Sequence, residues 1–261
     1  MSEEPTPQPT PYPDLAGKSA VVTGGSRGIG AATARALAAS GTAVAIIGRG
    51  EEALAAVAED IRARGGRALA VRADCTSEEE LDRAARAITD ELGAVDILAA
   101  FAGGNGMPVP TVQETPAHWR EVTESDLTAT FLTTRAFMPA MVERGRGSII
   151  TMSSAAARQA AQSNAAYAAA KAGVIAFTRH LANEIGPHGV RVNCLAPSAV
   201  ENERMRAWTT EEQRRQLGAS FPLRRIGQPE DVAAAALFFA SGASSWITGV
   251  TLDIAGGKIM L

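Results

Sequence analysis

The alternation of short apolar runs with longer helical stretches constrains the fold more than any other feature of this sequence. From Ser19 onward, most apolar runs are followed by a stretch rich in Ala, Leu, Glu and Arg at helical spacing. The runs are almost continuously apolar, which is typical of parallel strands buried on both faces. We therefore predict one α/β domain: a doubly wound, Rossmann-type parallel sheet of about seven strands with helices on both faces.

The same pattern predicts where the elements lie. Strands are expected over residues 19–23, 43–48, 67–72, 97–100, 147–153, 191–196 and 250–254, and helices over 28–40, 51–64, 77–92, 126–144 and 163–185. Residues 200–220 follow the sixth strand and are polar, charged and helix-prone. An insertion at the carboxyl edge of a parallel sheet is typical of a lid over a binding site.

Composition limits the classes of protein to which the chain can belong. The 261 residues carry a net charge of −3, with no basic stripe for nucleic acid or a membrane surface and no apolar run long enough to span a bilayer. The acidic start, MSEEPTPQPTPYP, predicts a disordered, Pro-rich tail over residues 1–14 and a folded domain over 15–261. Two cysteines and three histidines show no zinc-ligand spacing, so we expect reduced thiols, no metal site and a cytoplasmic protein.

The first predicted strand runs into a glycine-rich loop, TGGSRGIG, that opens a helix. Gly24, Gly28 and Gly30 let the backbone turn tightly and approach a pyrophosphate, and the helix N-terminus supplies N–H donors. The spacing G-x-x-x-G-x-G differs from the G-x-G-x-x-G fingerprint, and a plain strand-to-helix turn is the alternative. The strand before the loop and the helix after it favour a dinucleotide site.

A tyrosine and a lysine lie four residues apart in AAYAAAKAG, on one face of a predicted helix. The chain has only three lysines among 25 basic residues, and Tyr12 is in the tail, so Tyr167 is the one phenol of the predicted domain. Lys171 can place a compact, rotatable point charge beside that phenol, and the planar guanidinium of Arg cannot replace it. The alternative is that Tyr167 and Lys171 are ordinary residues of an Ala-rich core helix.

Together TGGSRGIG, Ser154, YAAAK and the closing LDIAGG resemble the classical short-chain dehydrogenase/reductases, in particular the branch similar to 3-oxoacyl-carrier-protein reductases. The resemblance covers residues 15 to the C-terminus. It implies that Tyr167 is the acid/base, that Lys171 activates it and that Ser154 hydrogen-bonds the substrate oxygen. An ammonium beside a phenol favours the phenolate, which brings a poor acid/base nearer to neutral pH.

The resemblance also implies a cofactor site, a fourth catalytic position and an assembly. The residues expected to bind the cofactor are Gly24, Ser26, Arg27, Gly28, Ile29, Gly30, Arg49, Asp74, Cys75, Ala102, Gly103, Tyr167, Lys171, Pro197, Ser198 and Val200. Asp74 would contact the adenine ring. Asp126 stands where the family has an Asn that completes a proton path. The helices at 126–144 and 163–185 would form a subunit interface, which implies a homotetramer or dimer.

The residues after the second strand indicate which dinucleotide binds. Enzymes that prefer NAD place an acidic residue there for the ribose 2′-hydroxyl, but the strand ends VAIIGRG, with Gly48 at that position and Arg49 next. Arg27 adds a second guanidinium that can reach a 2′-phosphate. We therefore expect NADP(H), with two solvated surface arginines as the alternative.

The sequence departs from the family pattern at four positions near the nicotinamide end. The usual Asn-Asn-Ala-Gly reads AFAG (100–103), the usual Asn is Asp126, the usual Pro-Gly is Pro197-Ser198, and the usual Thr is Asn202. In AFAG the Asn side chains are missing, so the hydrogen bonds by which they connect neighbouring strands are lost and the local stability is in doubt. Asp126 either acts electrostatically on Lys171 and Tyr167 or caps a helix, and Asn202 either binds the carboxamide or is an exposed lid residue.

Three functions remain in competition. The leading one is an NADP(H)-dependent reductase that converts a ketone, such as a 3-oxoacyl or polyketide-like carbonyl, to a secondary alcohol. A sugar- or steroid-type alcohol dehydrogenase working oxidatively is the alternative among enzymes, and a non-catalytic dinucleotide-binding regulator is the alternative outside them. Retention of Ser154, Tyr167 and Lys171 favours an enzyme. Residues 104–116, 155–164 and the lid would form the substrate pocket, with Met107, Trp208 and Phe221 either lining it or serving as packing.

Overall fold

The computed structural model describes residues 12–160 and 163–260 and contains one seven-stranded sheet. The strands are β1 Ser19–Thr23, β2 Ala43–Gly48, β3 Ala68–Arg72, β4 Ile97–Ala100, β5 Gly147–Met152, β6 Val190–Pro197 and β7 Thr251–Ile254. All neighbouring strands pair in parallel, in the order β3-β2-β1-β4-β5-β6-β7. The predicted doubly wound sheet is therefore confirmed, and the strand order reverses between β1 and β4.

Helices cover both faces of this sheet. Their bounds are α1 Gly28–Ala39, α2 Glu51–Ala63, α3 Glu78–Leu92, α4 Pro116–Thr123, α5 Ala129–Glu143, α6 Ala165–Ile185, α7 Glu203–Trp208, α8 Glu211–Ala219 and α9 Pro229–Ala240. One apolar core lies between the sheet and α1, α2 and α9, and a second lies between the sheet and α3, α5 and α6. Val22 faces the first core and Val21 the second, as the two-residue period of a strand requires.

Helix α9 is absent from the predicted elements because its sequence, PEDVAAAALFFA, is apolar on most sides. Val232, Ala236 and Leu237 are buried towards the sheet, and Phe239 and Ala240 are buried as well. A helix buried on several sides carries no amphipathic period, so the pattern that revealed the other helices could not reveal this one.

The helix predicted to begin at Asp126 begins ten residues earlier, at Pro116, because Thr115 caps α4 by accepting from His118 N at 3.1 Å. Residues Glu124–Thr128 form one π-helical turn, and α5 continues from it without interruption. The alternative in which Asp126 caps a helix is therefore excluded. Asp126 lies inside a continuous helical segment, and its side chain is fully buried.

The chain upstream of β1 is ordered from Tyr12, within the stretch that the sequence assigns to the tail. Pro13–Leu15 form a turn of 3-10 helix, with Leu15 fully buried. Asp14 pairs with Lys18 at 3.2 Å and accepts from Gly242 N at 2.7 Å. Residues 12–14 therefore belong to the folded domain. The rest of the predicted tail, residues 1–11, lies outside the described residues.

The predicted lid consists of two short helices, α7 and α8, connected to the sheet through Val200, which bridges to Gly227. Trp208 is 76% exposed at the end of α7, whereas Phe221 is buried beyond α8. Within the described part of the chain, no helix combines the length and the apolar character that a bilayer crossing needs.

Candidate active site

The glycine loop lies at the reversal of strand order, where crevices of doubly wound sheets form. A Cβ on Gly30 would lie 2.2 Å from the carbonyl oxygen of Gly24, and one on Gly24 would lie 2.9 Å from that of Phe101. Gly24 and Gly28 also have positive φ, of 64° and 53°. The loop therefore requires glycine at these three positions, as the sequence predicted.

The N-terminus of α1 is open toward this crevice. Arg27 precedes the helix without a hydrogen bond from its side chain to the first turn, so the first N–H groups keep their donor capacity. A Cβ built on Gly28 would meet no atom within 4 Å, which leaves room for a group to approach the backbone. These residues fit a diphosphate held by backbone N–H groups and the helix dipole.

Residues expected at the adenosine end lie at the tips of β2 and β3. Asp74 accepts from the backbone N–H of Thr76 at 2.9 Å and from its hydroxyl at 2.8 Å. The Thr76 N–H chiefly lowers the pKa of Asp74 against the opposing effect of partial burial, and the positive charge of Arg49 assists. Arg27 and Arg49 are both exposed, and neither forms an ion pair with any residue in the described ranges.

Cys75, also expected at the cofactor, is buried beside Asp74. Burial raises the pKa of its thiol to about 11, so the thiol is neutral at physiological pH and offers no charge to a ligand. The other expected cofactor residues lie where parallel strands end: Ala102 and Gly103 after β4, and Pro197, Ser198 and Val200 at the end of β6 and beyond.

The candidate acid/base pair lies on one face of α6, as predicted. The Lys171 Nζ is 5.6 Å from the centroid of the Tyr167 ring. Lys171 is almost fully buried, donates from Nζ to Met152 O at 3.0 Å, and forms an ion pair with Asp126 Oδ1 at 3.0 Å. Gly173 allows this close approach, since a Cβ there would lie 2.9 Å from Leu127 in the π-helical turn.

The carboxylate of Asp126 is fully satisfied although it is buried. Its Oδ1 accepts from Gly104 N at 2.7 Å and its Oδ2 from Ser125 Oγ at 2.8 Å, in addition to the ion pair with Lys171. Burial by itself would lower the pKa of Lys171, but the negative charge of Asp126 and its hydrogen bond oppose this effect, and that pKa is raised above its ordinary value. Lys171 is therefore a permanent ammonium at physiological pH.

Two consecutive serines follow β5, and they have different partners. Ser153 Oγ donates to the backbone carbonyl of Lys171 at 2.8 Å, which ties the strand to α6. Ser154 is only partly buried, and its Oγ accepts from Ala156 N at 3.2 Å. The Ser154 hydroxyl therefore keeps its own proton to donate to an oxygen in the site.

Sequence reasoning missed two residues of this region. Thr23 is buried at the end of β1, and its Oγ1 accepts from Phe101 N at 2.9 Å and Ala102 N at 3.0 Å, so β1 and the AFAG segment are tied without amide side chains. Asn164 caps α6 by accepting from Tyr167 N at 2.7 Å. The sequence signal for such a cap is an Asn, Asp, Ser or Thr directly before the first residue of a helix.

Asn202 is the N-cap residue of the lid helix α7. It is exposed and caps α7 by accepting from Met205 N at 2.8 Å, while its Nδ2 donates to Val200 O. Of the apolar residues named for the pocket, Met107 and Trp208 are exposed and Phe221 is buried against Gly256. Residues 161 and 162 of the expected pocket segment lie outside the described residues.

Comparison with known proteins identifies the family. Residues 24–258 match the family model described as enoyl-(acyl carrier protein) reductase. The chain belongs to the short-chain dehydrogenase/reductase family. Members are oxidoreductases that use a nicotinamide dinucleotide, and the open N-terminus of α1 fits the diphosphate of that cofactor.

Individual members of the short-chain dehydrogenase/reductase family match nearly the whole chain. The chain is 38% identical over 251 residues to the 3-oxoacyl-(acyl-carrier-protein) reductase FabG of Vibrio cholerae, covering 95% of this chain and 100% of the relative. It is 36% identical over 246 residues to the 7alpha-hydroxysteroid dehydrogenase of Escherichia coli, with coverage of 94% and 95%. The structure of a 3-oxoacyl-(acyl-carrier-protein) reductase with bound NAD from Brucella melitensis superimposes with a TM-score of 0.89 at 34% identity, with coverage of 100% and 98%.

Proposed function

We propose that the protein is an NADP(H)-dependent reductase that converts a ketone to a secondary alcohol. The single observation that carries this proposal is the buried pairing of Lys171 with Asp126 beneath the Tyr167 ring, at the same sheet edge as the glycine loop. Similarity to 3-oxoacyl-(acyl-carrier-protein) reductases supports a carbonyl substrate of the 3-oxoacyl kind.

The proposed chemistry assigns one task to each side chain. The nicotinamide, when bound, supplies the hydride. Ser154 donates a hydrogen bond to the substrate carbonyl oxygen, which polarises the carbonyl. Tyr167 donates its phenolic proton to the same oxygen as the alkoxide charge develops. Lys171, held as an ammonium, stabilises the phenolate that remains, and it would also bind the cofactor's ribose hydroxyls when the cofactor is present.

The proposed preference for NADP(H) rests on Arg27 and Arg49. Both guanidinium groups are exposed at the adenosine end, next to Gly48, where no carboxylate can hold a ribose 2′-hydroxyl. The related structure with bound NAD makes this preference the part of the proposal that most needs a test. We expect kcat/KM with NADPH to exceed that with NADH by at least about tenfold, and equal or better values with NADH would overturn the assignment.

A panel of ketones, β-ketoacyl thioesters and quinones, followed by NADPH absorbance, tests the reaction itself. Reduction of one class with Tyr167-dependent turnover supports the proposal. Similarity to the 7alpha-hydroxysteroid dehydrogenase favours a second candidate, oxidation of a hydroxysteroid or comparable secondary alcohol. Turnover of such alcohols with NAD(P)⁺, together with no reduction of the ketones in the panel, would select this alternative.

A further inference from the structure

A short segment after β4, residues 104–107, lies directly against the Tyr167 ring; we name it the rim segment. A Cβ built on Gly106 would lie 3.0 Å from both Cδ1 and Cε1 of Tyr167, so any other residue would push the segment or the ring away by a few tenths of an ångström. Gly104 at the start of the segment has a φ of 111°, and Gly103 just before it has a φ of 124°. A glycine-rich stretch like this has many accessible conformations. Hydrogen bonds from neighbouring side chains are therefore needed to keep it against the ring.

Asn164 holds the rim segment from the start of α6. It is fully buried, and its Nδ2 donates to two carbonyls of the segment, Asn105 O at 2.9 Å and Met107 O at 3.0 Å. Its Oδ1 accepts from Tyr167 N at 2.7 Å. One amide therefore connects the rim segment to the backbone of the residue whose ring the segment covers.

Asp126 holds the beginning of the rim segment through the N–H groups of that segment. Its Oδ1 accepts from Gly104 N at 2.7 Å, and its Oδ2 accepts a longer bond from Asn105 N at 3.4 Å. The same Oδ1 pairs with Lys171 Nζ at 3.0 Å. Gly103 must be glycine here, because a Cβ would lie 2.5 Å from that oxygen.

We propose that Asp126 and Asn164 are positioning residues that together hold the rim segment against Tyr167, making it a fixed wall of the substrate site. The proposal rests on the proposed function in taking Tyr167 as the proton donor. Asp126 supplies acceptors to the N–H groups of the segment and Asn164 supplies donors to its carbonyls. With both in place, a substrate carbonyl that reaches Tyr167 meets a backbone segment that is held in one position beside the ring.

The variant Asn164→Ser separates this role from helix capping. Serine is an equally good N-cap, so α6 keeps its first hydrogen bond, but it lacks the amide that donates to the two carbonyls. Ser241→Ala is the matched control, since it removes another buried capping side chain, from Ala243 N, away from the rim segment. Asp126→Asn keeps an oxygen for Gly104 N, and Asp126→Ala removes it.

Amide hydrogen exchange with NADP(H) bound and no substrate provides a readout independent of turnover. The amides of Gly104 and Asn105 bind Asp126 and do not touch Asn164, so their exchange reports whether the segment moves as a unit. We expect Asn164→Ser to speed exchange at these amides by about tenfold or more, Asp126→Ala to do the same, and Ser241→Ala to leave it within about twofold. Asp126→Asn should leave exchange at Gly104 within about twofold, since it keeps the acceptor oxygen for that N–H.

Steady-state kinetics complete the test. In Asn164→Ser we expect KM for the ketone to rise by about fivefold or more, with the dissociation constant of NADPH unchanged and kcat reduced less than KM is raised. Exchange at Gly104 and Asn105 equal to wild type in Asn164→Ser would overturn the proposal. Faster exchange confined to the first turn of α6 would also overturn it, since that result assigns Asn164 to capping alone. If the wild-type protein reduces no ketone and Asn164→Ser still speeds exchange at the two amides, the proposed function is overturned and the hold of Asn164 and Asp126 on the rim segment is supported.

Discussion

Tyr167 and Lys171 form the pair on which the proposed chemistry depends. We expect Tyr167→Phe to lower kcat by at least about a thousandfold while the NADPH dissociation constant changes little, because only the proton donor is lost. We expect Lys171→Ala to damage both kcat and cofactor binding. Lys171→Arg should fail to restore activity, since a planar guanidinium does not fit the buried position beside Asp126 and Met152 O. A Tyr167→Phe enzyme that keeps most of its kcat would contradict the mechanism.

Asp126 gives this site a negative charge where an amide is usual in the family. The titratable groups that face it or its partner are Lys171, Tyr167 and Cys194. A buried negative charge in general disfavours the formation of a second negative charge nearby. Reduction uses the protonated phenol, so it tolerates the charge, whereas alcohol oxidation needs the phenolate. We expect Asp126→Asn to shift the oxidative pH–rate profile to lower pH by about one unit and to leave the reductive profile near neutral pH unchanged.

The control for this experiment is Asp96→Asn, which neutralises another partly buried carboxylate at the opposite edge of the sheet, beside Arg144 and Arg146. Its pH–rate profiles should match those of the wild type in both directions. Superimposable oxidative profiles for Asp126→Asn and wild type would remove the electrostatic role and leave Asp126 with its positioning role alone.

At the scale of elements, the turn from β1 into α1 depends on glycines that no other residue can replace. We expect Gly30→Ala to lower NADPH affinity by at least about tenfold and to lower Tm, because the new Cβ would overlap the carbonyl oxygen of Gly24. Gly186→Ala is the matched control, since Gly186 has helical dihedral angles and its Cβ would meet no atom within 4 Å. Normal cofactor binding in Gly30→Ala would show that the loop can relax.

The π-helical turn between α4 and α5 determines where the side chain of Asp126 lies relative to Lys171 on α6. It places Asp126 in the interior, against Lys171, rather than at the exposed start of a helix. π-helical turns occur inside α-helices often at functional sites, and this one brings a carboxylate to the end of β4 and β5. The sequence ESDLT gives no indication of such a turn, because the wider hydrogen-bond spacing of a π-helix is a property of the folded backbone and not of these residue types.

At the scale of the whole molecule, large apolar side chains remain exposed on two surfaces. Phe131 on α5 stacks edge to face on Phe177 of α6 and is still 47% exposed, and Trp246, beside the edge strand β7, is 99% exposed. Surfaces of this kind are typical of interfaces between subunits. We expect the protein to sediment as a dimer or tetramer, through α5 and α6, and Phe131→Glu to shift the distribution toward smaller species.

Leu223→Glu provides the comparison, since it places the same charge on another exposed apolar residue that is not part of α5 or α6. Its sedimentation should equal that of the wild type. A monomeric wild-type protein at micromolar concentration would contradict the expected assembly, and identical sedimentation of the Phe131→Glu and wild-type proteins would place the interface elsewhere.

The sequence by itself determined the architecture, because local chemistry dictated it. Continuous apolar strands must be covered on both faces, and the loop at Gly24–Gly30 is tight enough that its glycines could be recognised before folding. The four-residue spacing of Tyr167 and Lys171 likewise fixes their shared face on any helix. Patterns of this kind fail for α9, whose apolar character on several sides hides its period.

Only the tertiary structure decided the contacts that complete the candidate site. Asp126, Lys171 and the rim segment are distant in sequence, and their meeting depends on the π-helical turn, on Gly173 and on the packing of α6. Asn164 looks like any helix cap in the sequence, yet its amide reaches two carbonyls beyond β4. Side-chain hydrogen bonds in a buried site depend on distances of a few tenths of an ångström, and only the packed backbone sets those distances.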